Sequence, residues 1–483
     1  MFKNYFKTAW RSLWKNSTTS VINITGLSVG MTAAILISLW VQNEMNFDNN
    51  HKDANNIYRV TTNLKVNNWI WETSPLLLAD AVKKEVPEVE KTARLYDGNW
   101  PVFNINNNAT YEKKCAYVDD DWFNIFHYAF IEGNAAAFAQ DLNSIILTAS
   151  AAKKYFGNRN AIGTTIRVDS MSYIVKGVVE DAPPNSSFQY TSFIPLANLL
   201  KDKDRRANDE QWENANYITF IKTRSASNEN VLAKKITDVF AKNSGDKETT
   251  ISLVPLKAMH FETEIQNSVF VHGSKTTVYI FIVLAFLLLL IACINYVNLT
   301  TAKASLRAKE VSVRKMIGAK RTHLFYQFIT ESVLVSIISL VATLALLQVC
   351  LPVFNTLTGK VFELPLTSID MWLVMGITLL AALLLNSIYP ALVLSSFKPL
   401  NVFRGFTILK IKDSYFRKSL VTLQFTISVM LVTGTLIIYK QMQFIQQTDP
   451  GYNKSQVLTF PLPPNVSNEN KSAFIQTIKQ NLL

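Results

Sequence analysis

The groups able to do chemistry in this chain are few and scattered. The five histidines, His51, His127, His260, His272 and His323, form no H-E-x-x-H pair and have no cysteine partner at metal-ligand spacing. Two of the three cysteines, Cys293 and Cys350, fall in long apolar runs and Cys115 lies far from both, so no disulfide framework is implied. The densest carboxylate run, Asp119-Asp120-Asp121, precedes an aromatic stretch and reads as a solvated turn with a helix cap. No G-x-x-x-x-G-K-[ST] phosphate loop and no G-x-S-x-G elbow occurs. The expectation is a protein with no catalytic residues, no metal site and no cofactor.

Two polar or small-residue features do stand inside apolar sequence. Gly26-x-x-x-Gly30 would let a second helix approach closely. Glu331 sits about two turns into an apolar run. A carboxylate at that depth faces protein, water or a basic partner such as Arg314, Lys315, Lys320 or Arg321, or it snorkels to the headgroups. With one carboxylate and no relay, a proton pathway is not expected.

The elements that carry these residues follow from hydropathy. "VYIFIVLAFLLLLIACI" (278–294) has no charge and, at ~1.5 Å per residue, covers about 26 Å as a helix, close to the hydrocarbon thickness. The same test places spans at 20–42, 277–299, 323–351, 370–395 and 419–440. No small-x-small site closes the first run, so it reads as a retained span rather than a cleaved signal.

Charge supplies the orientation. Residues 1–19 carry four Lys/Arg and no acid, residues 300–322 carry seven and one, and residues 396–418 carry six and one. These segments hold more than the whole net charge of +12, and the rest of the chain is slightly acidic. The pattern is positive-inside, with the N-terminus and both basic loops cytoplasmic. It also argues against nucleic-acid binding, because the large soluble insert has no basic excess to meet phosphates.

The expected organisation is therefore an α-helical membrane protein of about five spans with a large α+β extracytoplasmic domain at 43–276. In residues 1–19, Phe2, Tyr5, Phe6, Ala9, Trp10, Leu13 and Trp14 recur at helical spacing opposite Lys3, Lys7, Arg11 and Lys15, an amphipathic helix in the cytoplasmic interface. In the insert, "NIYRVTTNLKV" and "TTIRVDSMSYIVKGVVED" alternate like strands. "SPLLLADAVKKEV" and "NVLAKKITDVFAKN" read as helices, and "DAPPNSSF" reads as a turn. Residues 352–369 form a short outside loop. The C-terminal part repeats the beginning: a basic linker (396–418), a span, then strand-like and helical stretches in 441–483. It reads as the start of a second outside domain from an internal duplication.

The segment 304–332, "ASLRAKEVSVRKMIGAKRTHLFYQFITES", resembles the cytoplasmic segment of FtsX-like, MacB-type ABC transporter permeases. The matching positions are Arg307, Glu310, Val311, Val313, Arg314, Lys315, Gly318, Ala319, Gln327, Phe328, Glu331 and Ser332. "NSIYPALVLSSFKPLNVFRG" (386–405), "NAIGTTIRVDSMSYIVKGVVEDAPPNSSF" and the N-terminal stretch up to Gly30 resemble further parts of the same family. Members with this duplicated layout continue through a second outside domain and three more spans, so the chain resembles a C-terminally shortened member.

The resemblance implies a permease subunit driven by a separate cytoplasmic ATPase, working on a peptide, lipid or drug-like substrate by moving its outside domain. It makes Arg307, Glu310, Val311, Val313, Arg314, Lys315, Gly318 and Ala319 the ATPase-coupling residues. It also implies a bacterial inner-membrane location, contact with membrane lipid, and pairing as a homodimer or within one longer chain, and it admits a periplasmic adaptor. The alternative is an envelope sensor of FtsX type, controlling a cell-wall hydrolase or a response to antimicrobial peptides without transport.

Overall fold

Inside lipid, an apolar run can satisfy its backbone polar groups alone only as a helix. The computed structural model describes residues 2–65, 67–98, 100–105, 108–225, 227–364, 369–395, 411–449 and 471–482. Among them, five helices are long and apolar enough to cross a membrane. They are Ser17–Met45, Lys275–Ala302, Arg321–Thr358, Ile369–Ser395 and Ile411–Gln447, here the first to fifth span helices. Several outrun the apolar windows read from sequence. The third in particular continues past residue 351 through Pro352 to a left-handed stop at Gly359.

The chain divides into two compact units, Met1–Ser414 and Tyr415–Leu483. In the first, four span helices pack into a bundle around Leu27, Met31, Ala34, Leu289, Ala292 and Cys293. Small and hydroxylated residues let the backbones approach. A Cβ on Gly30 would lie 2.5 Å from the Ala292 Cβ, so only glycine fits that crossing. Ser28 Oγ donates to Ser339 O (3.0 Å) and Thr343 Oγ1 donates to Ser28 O (3.3 Å), tying the first span to the third. The N-terminal helix Phe2–Lys15 buries Ala9 and Leu13 against the bundle and exposes Phe6, Trp10 and Trp14 as a stripe one turn apart.

Between the first two spans lies the α+β domain, built on one mixed sheet of 13 strands. Ile57–Leu64 pairs antiparallel with both Thr250–Pro255 and Ile218–Thr223. Helices Leu76–Glu85 and Glu229–Ser244 cover that half, burying Leu78, Val82, Leu232, Ile236 and Phe240. Elsewhere Met171–Val179 runs parallel to Ser144–Thr148 and turns back on Thr165–Val168 through Asp169 at φ 51°. Trp122, Phe126, Phe188 and Phe220 meet mostly edge-on at the centre, an arrangement aromatic quadrupoles favour.

The second unit holds most of the fifth span helix, whose apolar side chains are exposed around its circumference. It also holds a helix, Lys471–Leu482. The strand-like stretch expected just before that helix, and residues 396–410 of the basic linker, lie outside the described residues.

Candidate functional site

The basic stretch after the second span folds as a helix, Ala304–Met316. Its end is set by Gly318 at φ 103°, a value that disfavours any side chain. The Gly318 N–H bonds Lys315 O (3.1 Å) and the Ala319 N–H bonds Arg314 O (3.0 Å), the paired bonds of a Schellman stop. The chain then enters the third span helix at Arg321.

This helix has an inner and an outer side. Val311 and Ser312 are buried, and Lys315 Nζ donates to Ser395 O (2.7 Å), at the carbonyl end of the fourth span helix where a cation is favoured. Burial, and then the nearby Arg321, hold the Lys315 amine below its ordinary value. Arg314 donates to Glu310 (2.6 Å), one turn back on the same helix, and to Gln327 of the third span (2.7 Å). Val313, Met316 and Ile317 are left exposed, Ile317 by 82%. The coupling residues implied by the resemblance are therefore divided: Val311 faces the bundle, Val313 faces outward, and Met316 joins the exposed side. A groove of ≈ 410 Å³ beside it is lined by Tyr5, Arg314, Ile317, Ala319, His323, Leu324 and Gln327. Arg307 lies on the helix, and its side chain falls outside the described residues.

Glu331 is buried at the base of the bundle, where Ser12 of the N-terminal helix donates to its Oε1 (3.0 Å). Gly26 and Gly30 both face the second span, Gly26 toward Asn295 and Gly30 against Ala292.

A second constellation joins the bundle to the α+β domain. Glu44, in the last turn of the first span helix, accepts from Lys360 and lies 2.7 Å from His260 Nε2. His260 stacks flat on Phe47, with ring centroids 3.6 Å apart, and both His260 and Glu44 are buried. A side chain on Gly273 would collide with both His260 and Glu44, so the backbone passes there at contact distance. Four residues after Glu44, buried Asp48 accepts from the Ser187 N–H (2.7 Å) and Oγ (2.6 Å), while Asn185 Nδ2 donates to Asn46 O (2.7 Å). The "DAPPNSSF" turn is thus a clasp on the chain leaving the first span.

Two family models match the chain: residues 20–239 as a MacB-like periplasmic core domain and residues 282–399 as an FtsX-like permease C-terminal domain. The chain belongs to the MacB-type, FtsX-like permease family. It is 25% identical to the macrolide export ATP-binding/permease protein MacB of Salmonella typhi over 264 residues, 53% of this chain and 37% of that protein. It is 22% identical to the MacB of Escherichia coli O6:K15:H31 over 362 residues, 72% of this chain and 52% of that one. The chain therefore spans between about a third and a half of the length of these curated relatives. A domain of a permease protein from Porphyromonas gingivalis is similar at 20% identity, with a TM-score of 0.37, over 43% of this chain and 92% of that domain. With five apolar helices and this membership, the permease is a multi-pass inner-membrane protein.

In this permease the sequence singled out the basic helix and the third span. It missed Glu44, Asp48, Ser187 and Lys360, and weighed His260 only as a metal ligand. Among the described residues no group of three His, Cys, Asp or Glu side chains is placed to hold a metal. The one available signal was acidic: Glu44 and Asp48 stand within "WVQNEMNFD", where the first apolar run ends.

Proposed function

We propose that this chain is the permease component of an ATP-driven complex, with ATP hydrolysed by a separate cytoplasmic subunit and work delivered to the periplasmic core domain. The observation that carries this reading is the basic helix Ala304–Met316. It offers an exposed Val313–Met316–Ile317 patch outward, while Val311, Ser312 and the Lys315–Ser395 bond anchor it to the bundle. An ATPase gripping the patch moves the ends of the second, third and fourth spans together. The charge distribution supports a cytoplasmic N-terminus and, with it, this helix on the ATPase side. The Glu44–His260–Lys360 junction then carries span movement into the domain. The cargo is a peptide, lipid or drug-like compound for export or extraction.

A photo-crosslinking residue at Ile317 in the full-length protein tests the contact in cells, and capture of an ABC ATPase is expected. Arg314→Glu with Lys315→Glu should keep the complex in the membrane and uncouple ATP hydrolysis from work outside. Coupling that survives the double charge reversal overturns the reading. If the protein is an envelope regulator instead, its ATPase answers to a protein partner and not to any exported compound.

A further inference from the structure

A cleft of ≈ 1000 Å³ opens where the span ends meet the periplasmic core domain. One wall comes from the bundle: Trp40 and Glu44 near the end of the first span, Thr277 at the start of the second, and Thr358–Val361 where the third stops. Span ends and an interfacial tryptophan mark the level of the outer headgroups. The cleft is thus within reach of a molecule resting in the outer leaflet.

Its lining mixes apolar and aromatic groups with hydroxyl, amide, histidine and charged side chains. Trp40, Phe47, Tyr190 and Phe270 supply rings, and Val271 and Val361 are exposed by 78% and 68%. The carboxylates that line it are engaged. Glu44 is held by His260 and Lys360, and Asp97 accepts from the Tyr190 hydroxyl (2.9 Å). Lys113 and Lys114 stand exposed on the domain side, and among the described residues neither side-chain ammonium forms an ion pair with a carboxylate, although the Lys114 backbone N–H donates to Glu112 (3.3 Å). Lys113 Nζ rests 4.9 Å from the centre of the Trp100 ring. The charge left for an incoming molecule is therefore positive, in a cleft that also exposes Val271 and Val361.

We propose that this cleft binds an anionic amphiphile from the outer leaflet, its chain against Trp40, Val271 and Val361 and its headgroup at Lys113 and Lys114. The proposal uses the membrane placement of the chain and not the coupling reading, and its test involves no ATPase, so the two can fail separately.

The test uses the full chain in nanodiscs containing phosphatidylglycerol with a photoreactive acyl chain, and labelled peptides are mapped by mass spectrometry. Label on residues 269–273 or 358–361 is expected. It should be competed by phosphatidylglycerol better than by phosphatidylcholine, by about fivefold for each lysine engaged. Lys113→Glu with Lys114→Glu should abolish that preference, and Lys113→Arg with Lys114→Arg should keep it. Both pairs are surface changes, and a thermal melt of each variant verifies folding. Equal competition by the two lipids, or a preference unchanged by the glutamates, overturns the proposal. Full competition by glycerol phosphate alone also overturns it, by making the ligand a soluble anion.

Discussion

Glu44 and His260, 216 residues apart in sequence, meet at 2.7 Å and make the buried joint between the first span and the periplasmic core domain. Lys360 completes it from the far end of the third span. A buried carboxylate stripped of one partner costs far more than the intact contact contributes, because one of its oxygens is left buried without that partner.

Single substitutions at this joint should therefore be severe and strongly non-additive. Glu44→Ala and His260→Ala are each expected to destabilise by about 3 kcal/mol, and the double variant by little more than either alone. Thermal unfolding of the four proteins in one detergent gives the coupling. Additive losses would mean that the two side chains do not act as a pair.

The crossing of the first two spans makes a sharper steric prediction. Gly30→Ala places a methyl 2.5 Å from the Ala292 Cβ, so the helices must separate, at about 1–3 kcal/mol. Ala292→Gly in the same chain should recover most of the loss. If the second change recovers nothing, the crossing is looser than described.

His51 gives the domain a defined acid response. It is buried among Phe126, Tyr128 and Phe188, and its Nδ1 accepts from the His127 N–H. Burial, with neighbouring His127, lowers its pKa from 6.5 to about 4. The folded value lies below the unfolded one, so between these pH values the unfolded chain binds the extra proton. This contribution is complete above pH 6.5 and is lost as pH falls towards 4, amounting to about 3 kcal/mol. His51→Asn keeps an acceptor for the His127 N–H and removes the titration. Its unfolding free energy should vary less with pH over that window, and an unchanged slope counts against the assignment.

What could be read from sequence was whatever depends on near neighbours. Alternation picked out the strands at Ile57–Leu64 and Met171–Val179, and uninterrupted hydropathy picked out the spans. Gly318, singled out by the resemblance, ends the basic helix because a Schellman stop needs a residue that accepts positive φ. Contacts across the chain left no such trace. Glu331 was visible as an oddity, but Ser12, which bonds it, is 319 positions away. The inward turn of Val311 depends on where the fourth span ends, and no periodicity in residues 304–316 reports that. Glu44 reads as an ordinary polar residue leaving a span until His260 and Lys360 are folded against it.

The third span helix is 38 residues long, about 57 Å at roughly 1.5 Å per residue, nearly twice the thickness of the hydrocarbon it crosses. One end follows the Gly318 turn, and the other ends at Thr358, two residues before Lys360. Under the coupling proposed above, a helix of this length would act as a lever across the bilayer. Tilting it by ~5° about its middle would swing each end by roughly 2.5 Å in opposite directions. That displacement exceeds the tolerance of a hydrogen bond, so the proposed coupling would need only a small rotation to part Lys360 from Glu44.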